Sequence, residues 1–178
     1  PAPKKVGALV LAPTRELANQ IVTALMALSG GRGGPRITAV VGGKSLHGQT
    51  KALARGTDIL VATPGRLIDL LERKAVALDE TGFLVLDEAD QMLDMGFIHA
   101  LRRIAPLLPA DRQTMLFSAT MPKAMAELAG AYLTDPVRVQ VAPPGKPADK
   151  IAQSVHFVAK EDKQSLLVSM LNGHKGAR

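Results

Sequence analysis

Short runs of apolar residues recur along the first 140 positions, and segments with helical spacing separate them. An unbroken apolar run of this length predicts a strand that is buried on both faces, as in a parallel sheet. The alternation of such strands with helices predicts an α/β fold around a mostly parallel central sheet. The predicted strands are 6–12, 37–41, 58–62, the apolar start of 83–90, 114–117 and 137–141.

The pattern changes after the last of these strands. Residues 143–147, Pro-Pro-Gly-Lys-Pro, are typical of a linker between domains. Beyond them, residues 151–158 alternate like a strand and residues 163–171 have helical spacing, which is too little to enclose a core. We therefore expect a first domain at 1–142, a linker at 143–150 and the truncated start of a second domain at 151–178.

Two of the turns that follow these strands combine a helix start with an arginine. Thr14 is predicted to cap the first helix, and Arg15 stands beside it. Thr63 and Pro64 form a second helix start, which Arg66 follows closely. The start of a helix presents backbone N–H groups and a partial positive charge, so an arginine there favours the binding of a phosphate group. An ordinary capped helix is the alternative interpretation of each turn.

The turn after the second strand, Gly42-Gly43-Lys44-Ser45, imitates the end of a Walker A loop. That loop requires a glycine five residues before its last glycine, because its backbone must wrap the phosphates. Thr38 occupies this position, inside the predicted strand. We therefore interpret the glycine pair as a place where a nucleic-acid strand approaches the protein backbone closely.

Three carboxylates, Asp87, Glu88 and Asp90, stand within four positions at the end of the most apolar strand. Ligands bind at the carboxyl ends of parallel strands, and two adjacent acids there suit a hydrated Mg²⁺ and an attacking water. A solvated acidic turn is the alternative. Ser118 and Thr120 follow the next strand, and their hydroxyls are predicted to hydrogen-bond Asp90, unless one of them only caps the helix that follows.

The composition narrows the choice of partners. The net charge is +6, and residues 1–80 hold 11 Lys and Arg against 6 Asp and Glu. An excess of cations beside an acidic turn suits a protein that holds a polyanion and a divalent metal. Aromatic residues make up only 3% of the chain, so contact with backbone phosphates is favoured over base stacking.

Cysteine is absent, which excludes a disulfide framework and any thiolate ligand or nucleophile. No apolar run approaches the roughly 18 residues of a membrane span, and the N-terminus lacks the pattern of a secretory signal. We therefore expect a cytoplasmic protein with no membrane partner.

The order and spacing of these turns resemble the DEAD-box family of ATP-dependent RNA helicases. The resemblance extends over nearly the whole chain, and each motif follows a predicted strand as it does in the family. The matching segments are motif Ia at 13–18, the glycine doublet at 42–43, motif Ib at 63–66, motif II (Asp-Glu-Ala-Asp) at 87–90 and motif III (Ser-Ala-Thr) at 118–120.

The resemblance implies a RecA-like three-layer sandwich and, for the whole protein, ATP hydrolysis coupled to the unwinding or remodelling of RNA. ATP and Mg²⁺ are the implied cofactors, and RNA bound regardless of base sequence is the implied partner. The family's Q motif and Walker A loop precede motif Ia and have no counterpart here, so we expect these 178 residues alone to bind ATP weakly or not at all. Residues 92–97 and 151–158 look most like the bacterial RhlE-like branch.

The resemblance also implies roles for individual residues. Asp87 would hold Mg²⁺ through water, and Glu88 would position or deprotonate the water that attacks the γ-phosphate. Asp90, Ser118 and Thr120 would couple the state of the nucleotide to RNA handling. The RNA backbone would be gripped by Pro13, Thr14, Arg15, Glu16, Gly42, Gly43, Thr63, Pro64, Gly65 and Arg66.

Two other classes of function stay open at this stage. A Mg²⁺-dependent nuclease or phosphatase would use Asp87, Glu88 and Asp90 directly, although such sites usually take carboxylates from several strands. A non-catalytic RNA-binding module would use the cationic turns alone.

A last expectation concerns the strand at 114–117. In RecA-like sheets the strand of the Walker A loop lies between this strand and the one predicted here at 137–141. Without that neighbour, 114–117 would have an open edge that is prone to pair with another chain. We expect the edge to be filled by a separate segment, by strand exchange with another chain, or by a shifted pairing with 137–141.

Overall fold

The computed structural model describes residues 2–30, 33–140 and 154–173, which fall into two compact units, Pro1–Gln140 and Val141–Arg178. In the second unit, a 3₁₀ turn at Lys160–Asp162 leads into a helix, α7 (Lys163–Gly173). In the first unit the elements are β1 (Val6–Leu11), α1 (Arg15–Leu28), β2 (Ile37–Val40), α2 (Leu46–Leu53), β3 (Thr57–Ala62), α3 (Pro64–Glu72), β4 (Phe83–Leu86), α4 (Ala89–Asp94), α5 (Ile98–Ile104), a 3₁₀ turn (Ala105–Leu107), β5 (Gln113–Leu116) and α6 (Lys123–Gly130).

The five strands form one parallel sheet in the order β2-β3-β1-β4-β5. β1 lies in the middle, where Leu9 pairs in register with Leu60 of β3 and Leu84 of β4. Parallel strands need crossover connections, and here helices supply them. The predicted α/β fold with a parallel sheet is confirmed, and all five carboxyl ends lie along one edge of the sheet.

Helices pack against both faces of the sheet and make the first unit a three-layer sandwich. On one face, α1 packs Ala18 and Ile21 against Val61. The other face carries the larger cluster, and each fully buried leucine there contributes about 1.5–3 kcal/mol by leaving water. That cluster includes Leu9, Leu11, Leu60, Leu84 and Leu86 from the strands and Leu67, Leu70, Met92, Leu101, Ile104 and Met125 from the helices.

The face under α1 is covered over only part of its width. Phe83 and Val85 pair with Ala8 and Val10 of β1, so they point to the same face as those residues. α1, however, packs on β2 and β3. Phe83 is therefore 58% exposed, and Met115 of β5 is 41% exposed.

The predicted strand at 137–141 is not formed over residues 137–140, and residue 141 lies outside the described residues. Val137 and Val139 are 91% and 81% exposed. An alternating apolar segment becomes a strand only when a neighbouring edge pairs with it. Within the described residues β5 pairs with β4 alone, so the shifted pairing proposed for this segment is wrong.

The second unit agrees with the sequence in its helix and differs from it in its strand. The helix predicted at 163–171 is confirmed by α7. Residues 154–158 of the predicted strand are irregular, and Phe157 is 99% exposed; residues 151–153 lie outside the described residues. The predicted linker at 143–150 also lies outside them, and the division into two domains stays a prediction.

The helical segment between β4 and β5 is divided into two helices, α4 and α5. Gly96 has φ +80°, and the amide of Phe97 donates to the carbonyl of Met92 at 3.0 Å, which ends α4. The break aims the ring of Phe97 at the start of α3, where a Cβ added to Gly65 would lie 3.8 Å from it. The break thus helps to place one of the predicted RNA-binding turns.

Candidate functional site

The acidic turn begins where β4 ends, and its backbone is bonded to both neighbouring strands. The amide of Asp87 donates to the carbonyl of Leu11, and the amide of Ala89 donates to the carbonyl of Phe117, each at 3.0 Å. Between them, Glu88 has a left-handed backbone with φ 49° and ψ 51°. Such a conformation is uncommon outside glycine, and it persists where the surroundings enforce it, typically at functional sites.

The turn leaves its two leading acids accessible. Glu88 is exposed and Asp87 is half-buried. Oδ1 of Asp87 accepts the amide of Glu88 at 3.0 Å, while no described residue donates to Oδ2. One fixed and one open carboxylate oxygen suit a hydrated Mg²⁺, because this ion keeps several waters and takes only one or two carboxylates.

These acids line an open cleft of about 540 Å³ between α4 and the end of β5. Within the described residues, no three His, Cys, Asp or Glu side chains come together to hold a metal ion directly. This weighs against a nuclease or phosphatase that would use all three acids of the turn as joint ligands. The cleft is lined by Asp87, Glu88, Asp90, Gln91, Asp94, Phe117, Ser118 and Ala119.

Asp90 joins the acidic turn to the turn that follows β5. Its Oδ2 accepts two hydrogen bonds from Thr120, one from the amide and one from the hydroxyl, each at 2.8 Å. The hydroxyl of Ser118 accepts the amide of Asp90 at 3.2 Å and donates to the carbonyl of Thr120 at 2.7 Å. Ser118 thus meets the backbone of Asp90 rather than its carboxylate. Neither hydroxyl caps α6, whose N-cap is Pro122.

Burial and hydrogen bonding act in opposite directions on Asp90. Burial disfavours the charged carboxylate, but hydrogen bonds from the hydroxyl and amide of Thr120 and from the amide of Gln91 outweigh it. The pKa of Asp90 is therefore lowered from its ordinary value. The link between the two turns is consequently charged at neutral pH, and hydrogen bonds of this kind are the stronger ones.

The turn between β1 and α1 presents an exposed arginine, Arg15. Thr14 caps α1 as predicted, since its hydroxyl accepts the amide of Leu17 at 3.1 Å. Pro13 is buried, whereas the side chains of Arg15 and Glu16 are 56% and 73% exposed and lie 3.8 Å apart. An exposed ion pair contributes only about 0–1 kcal/mol, so it leaves the arginine available to a phosphate.

Of the two adjacent glycines, Gly43 stands at a position where a side chain would be unfavourable. Gly43 has φ +75°, and the guanidinium of Arg15 occupies the space that a Cβ would take. Gly42 has neither constraint, because nothing lies within 4 Å of a Cβ built there. The contact of Arg15 with Gly43 brings the first and second turns together.

In the turn between β3 and α3, the helix start lacks a side-chain cap, and Arg66 is already hydrogen-bonded within the protein. Thr63 and Pro64 are buried at the helix start, and Thr63 makes no side-chain capping bond, which leaves the first amides of α3 without a side-chain cap. The side chain of Arg66 is only 13% exposed. Its Nη1 donates to the carbonyl of Lys44 at 2.9 Å, and its Nε lies 3.6 Å from Asp69.

The sheet order places the two groups of turns on separate halves of one edge. The cationic half consists of residues 13–16, 42–45 and 63–66, which follow β1, β2 and β3. The acidic half consists of residues 87–90 and 118–120, which follow β4 and β5. The halves meet between β1 and β4.

None of the described helices is long and apolar enough to cross a membrane.

Comparison with known proteins connects this arrangement to a family. Residues 2–128 match the family described as DEAD/DEAH box helicase. The chain belongs to the DEAD/DEAH box helicase family. The match includes every turn of both halves, so the family that the sequence motifs indicate is confirmed. The assignment to one bacterial branch stays a prediction.

Two curated helicases of this family are close in sequence. "DEAD-box ATP-dependent RNA helicase 24" of Arabidopsis thaliana is 45% identical over 166 residues, which are 93% of this chain and 22% of the relative. "DEAD-box ATP-dependent RNA helicase 52A" of Oryza sativa subsp. japonica is 43% identical over 174 residues, which are 96% of this chain and 29% of the relative. The chain therefore spans about a quarter of the length of these relatives.

The sequence patterns did not predict two contacts in this DEAD/DEAH box domain. Gln49 is 7% exposed and donates its amide to the carbonyl of Val41 at 3.0 Å. Arg66 donates to the carbonyl of Lys44 on the other side of the glycine pair. A polar residue on a short helix gives no periodic signal of burial, so neither contact could be found without coordinates.

Proposed function

We propose that the protein containing this chain is an ATP-dependent RNA helicase that couples ATP hydrolysis to RNA unwinding or remodelling. The observation that carries the proposal is the pair of 2.8 Å hydrogen bonds from Thr120 to Asp90, which tie the acidic turn to the adjacent strand exit. The cationic turns lie on the same sheet edge. Both relatives are named as ATP-dependent RNA helicases, which supports the same activity.

In this proposal the acidic half serves ATP. Bound Mg²⁺ would neutralise charge on the phosphates, and the open Oδ2 of Asp87 would hold it through water. The exposed carboxylate of Glu88 orients the attacking water and accepts its proton. The strained backbone of Glu88 sets the direction of this side chain, while the bond from its amide fixes Asp87 beside it.

The cationic half serves RNA. Arg15 offers an exposed guanidinium, and the first amides of α3, near Gly65 and Arg66, lack a side-chain cap. The positive φ of Gly43 turns the backbone sharply beside Arg15. Contacts from such groups reach phosphates and sugars rather than base edges. Binding is therefore independent of base sequence.

Asp90, Ser118 and Thr120 connect events at the acidic turn with the segment after β5. Thr120 contacts Asp90 by both its amide and its hydroxyl, so a movement of the acidic turn displaces the 118–120 turn with it. This link is the route by which the nucleotide state would change the affinity for RNA.

The deciding experiment measures the affinity of the full-length protein for a single-stranded RNA with Mg²⁺ and a non-hydrolysable ATP analogue, with ADP, and without nucleotide. A helicase of this type binds RNA more tightly with the analogue, by roughly 5–150-fold for a typical coupling between two sites. Equal affinity in all three states indicates an RNA-binding module. Cleavage of the RNA by Mg²⁺ alone indicates a nuclease.

A further inference from the structure

The glycine turn is fixed by side chains from two different helices. Gln49 of α2 donates to the carbonyl of Val41 at 3.0 Å, immediately before the glycine pair. Arg66 of α3 donates to the carbonyl of Lys44 at 2.9 Å, immediately after it. The turn therefore has an anchor at each end, although its own two glycines give it little stiffness.

The charged groups of Arg66 and Lys44 differ in their exposure and in the partners that they contact. The side chain of Arg66 is 13% exposed, with one nitrogen on a carbonyl and another 3.6 Å from Asp69. Lys44 is exposed, and within the described residues its ammonium has no ion-pair partner. A phosphate that reached the second and third turns would therefore meet Lys44 more readily than the guanidinium beneath it.

We propose that Lys44 is the cation that contacts an RNA phosphate at this turn, and that Arg66 is a positioning residue that acts by holding the carbonyl of Lys44. The proposal rests on the proposed RNA-binding function and deepens it. In this proposal Arg66 holds the turn in place, and its role differs from that of Arg15, whose guanidinium is exposed.

The first test is a double-mutant cycle in the full-length protein, with a single-stranded oligouridylate as the probe and salt titrations for each variant. Lys44→Ala is expected to lower the log–log salt slope by about 0.7, the contribution of one phosphate on a single strand. Arg66→Ala is expected to weaken binding as well, but the double variant is expected to bind no more weakly than Lys44→Ala alone. Losses that add, with a double-variant slope lower by about 1.4, would show that Arg66 contacts a phosphate itself.

The second test requires no RNA. Trypsin cleaves after lysine, so the rate of cleavage between Lys44 and Ser45, followed by mass spectrometry, reports how firmly the turn is held. Arg66→Ala is expected to raise this rate about tenfold, as for the loss of a hydrogen bond from a charged donor. Arg73→Ala is the matched control, because Arg73 is an exposed arginine at the other end of α3.

The two tests separate the possible failures. If the unmodified protein does not bind the oligouridylate, the proposed RNA function and the Lys44 contact fail together. If Arg66→Ala leaves the cleavage rate at Lys44 at the level of Arg73→Ala while RNA binding is intact, the positioning role of Arg66 is wrong. Thermal unfolding of each variant identifies any that are misfolded. Arg66→Lys keeps a donor and is expected to restore part of the protection of the Lys44–Ser45 bond against trypsin.

Discussion

The acidic and cationic halves of the sheet edge are held together in different ways. In the acidic half, the contacts between turns converge on Asp90, which receives two hydrogen bonds from Thr120 across 30 residues of chain. In the cationic half, Arg15 packs on Gly43 while Arg66 separately anchors the carbonyl of Lys44.

This difference determines how substitutions affect each half. In the acidic half, a single substitution at Asp90 removes or weakens both hydrogen bonds from Thr120. A half whose turns are joined by independent contacts loses its function in parts, because additive effects are expected where no partner is shared. A site that switches with a nucleotide benefits from the first arrangement, and a surface that grips a long polyanion benefits from the second.

The largest expected effect is chemical and lies in the acidic half. In the full-length protein, Glu88→Gln is expected to lower ATP turnover by roughly 10²–10⁴-fold while ATP binding is kept, because the amide retains the shape and loses the basicity. Steady-state hydrolysis and ATP affinity measure the two effects. Glu127→Gln, an exposed glutamate on α6, is the control. Unchanged hydrolysis in Glu88→Gln would remove the residue from the catalytic role.

The next effect tests the connection itself. Asp90→Asn is expected to reduce the free energy of unfolding by about 1.5–3 kcal/mol at neutral pH, since it weakens hydrogen bonds to a charged group. Asp94 is an exposed acid on the same helix and has no ion-pair or hydrogen-bond partner among the described residues, so Asp94→Asn is expected to have little effect. Urea unfolding of both variants makes the comparison. Equal stability of the two would show that the acidic half does not depend on Asp90.

The same residue predicts a pH dependence. Folding lowers the pKa of Asp90 from its ordinary 3.8, so its ionised form stabilises the fold fully above that value. The stabilisation is lost as the pH falls through the lower pKa of the folded state. The difference in unfolding free energy between the unmodified protein and Asp90→Asn is therefore expected to shrink in acid, and a difference that stays constant from neutral pH to pH of about 2 would contradict it.

A smaller effect tests the cationic half. Gly43→Ala is expected to cost about 1–2 kcal/mol of stability, because alanine resists the left-handed conformation at φ +75°. The guanidinium of Arg15 must also move aside. Gly42→Ala is the matched control and is expected to be neutral, since that site is open. Two variants of equal stability would show that the turn adapts without cost.

The smallest effect concerns one phosphate. Arg15→Ala is expected to lower the log–log salt slope of RNA binding by about 0.7 and to leave the coupling to ATP intact. Arg102→Ala removes an exposed arginine from α5, on the other side of the sheet from α1. Salt titrations of both variants with a single-stranded RNA measure the difference. A slope that changes equally in the two variants would indicate general electrostatics rather than a defined contact.

The sequence predicts the parts of this fold that depend on local patterns. Unbroken apolar runs predict the five strands of the sheet, and Thr14 predicts the cap of α1. The wrong strand at 137–140 shows the limit, because alternation cannot indicate whether a segment pairs with a neighbouring strand. The contact of Arg66 with Lys44 is a tertiary one between side chain and backbone, and no spacing along the chain encodes it.

The left-handed backbone of Glu88 has a consequence for the history of this chain. A glycine at position 88 would relieve the cost of that conformation, roughly 1–3 kcal/mol, so the fold is more stable without its glutamate. The proposed catalytic role of Glu88 would account for a glutamate at this position. A duplicated copy in which that role is no longer needed is expected to lose Glu88 early and to keep Asp90, whose loss would destabilise the fold.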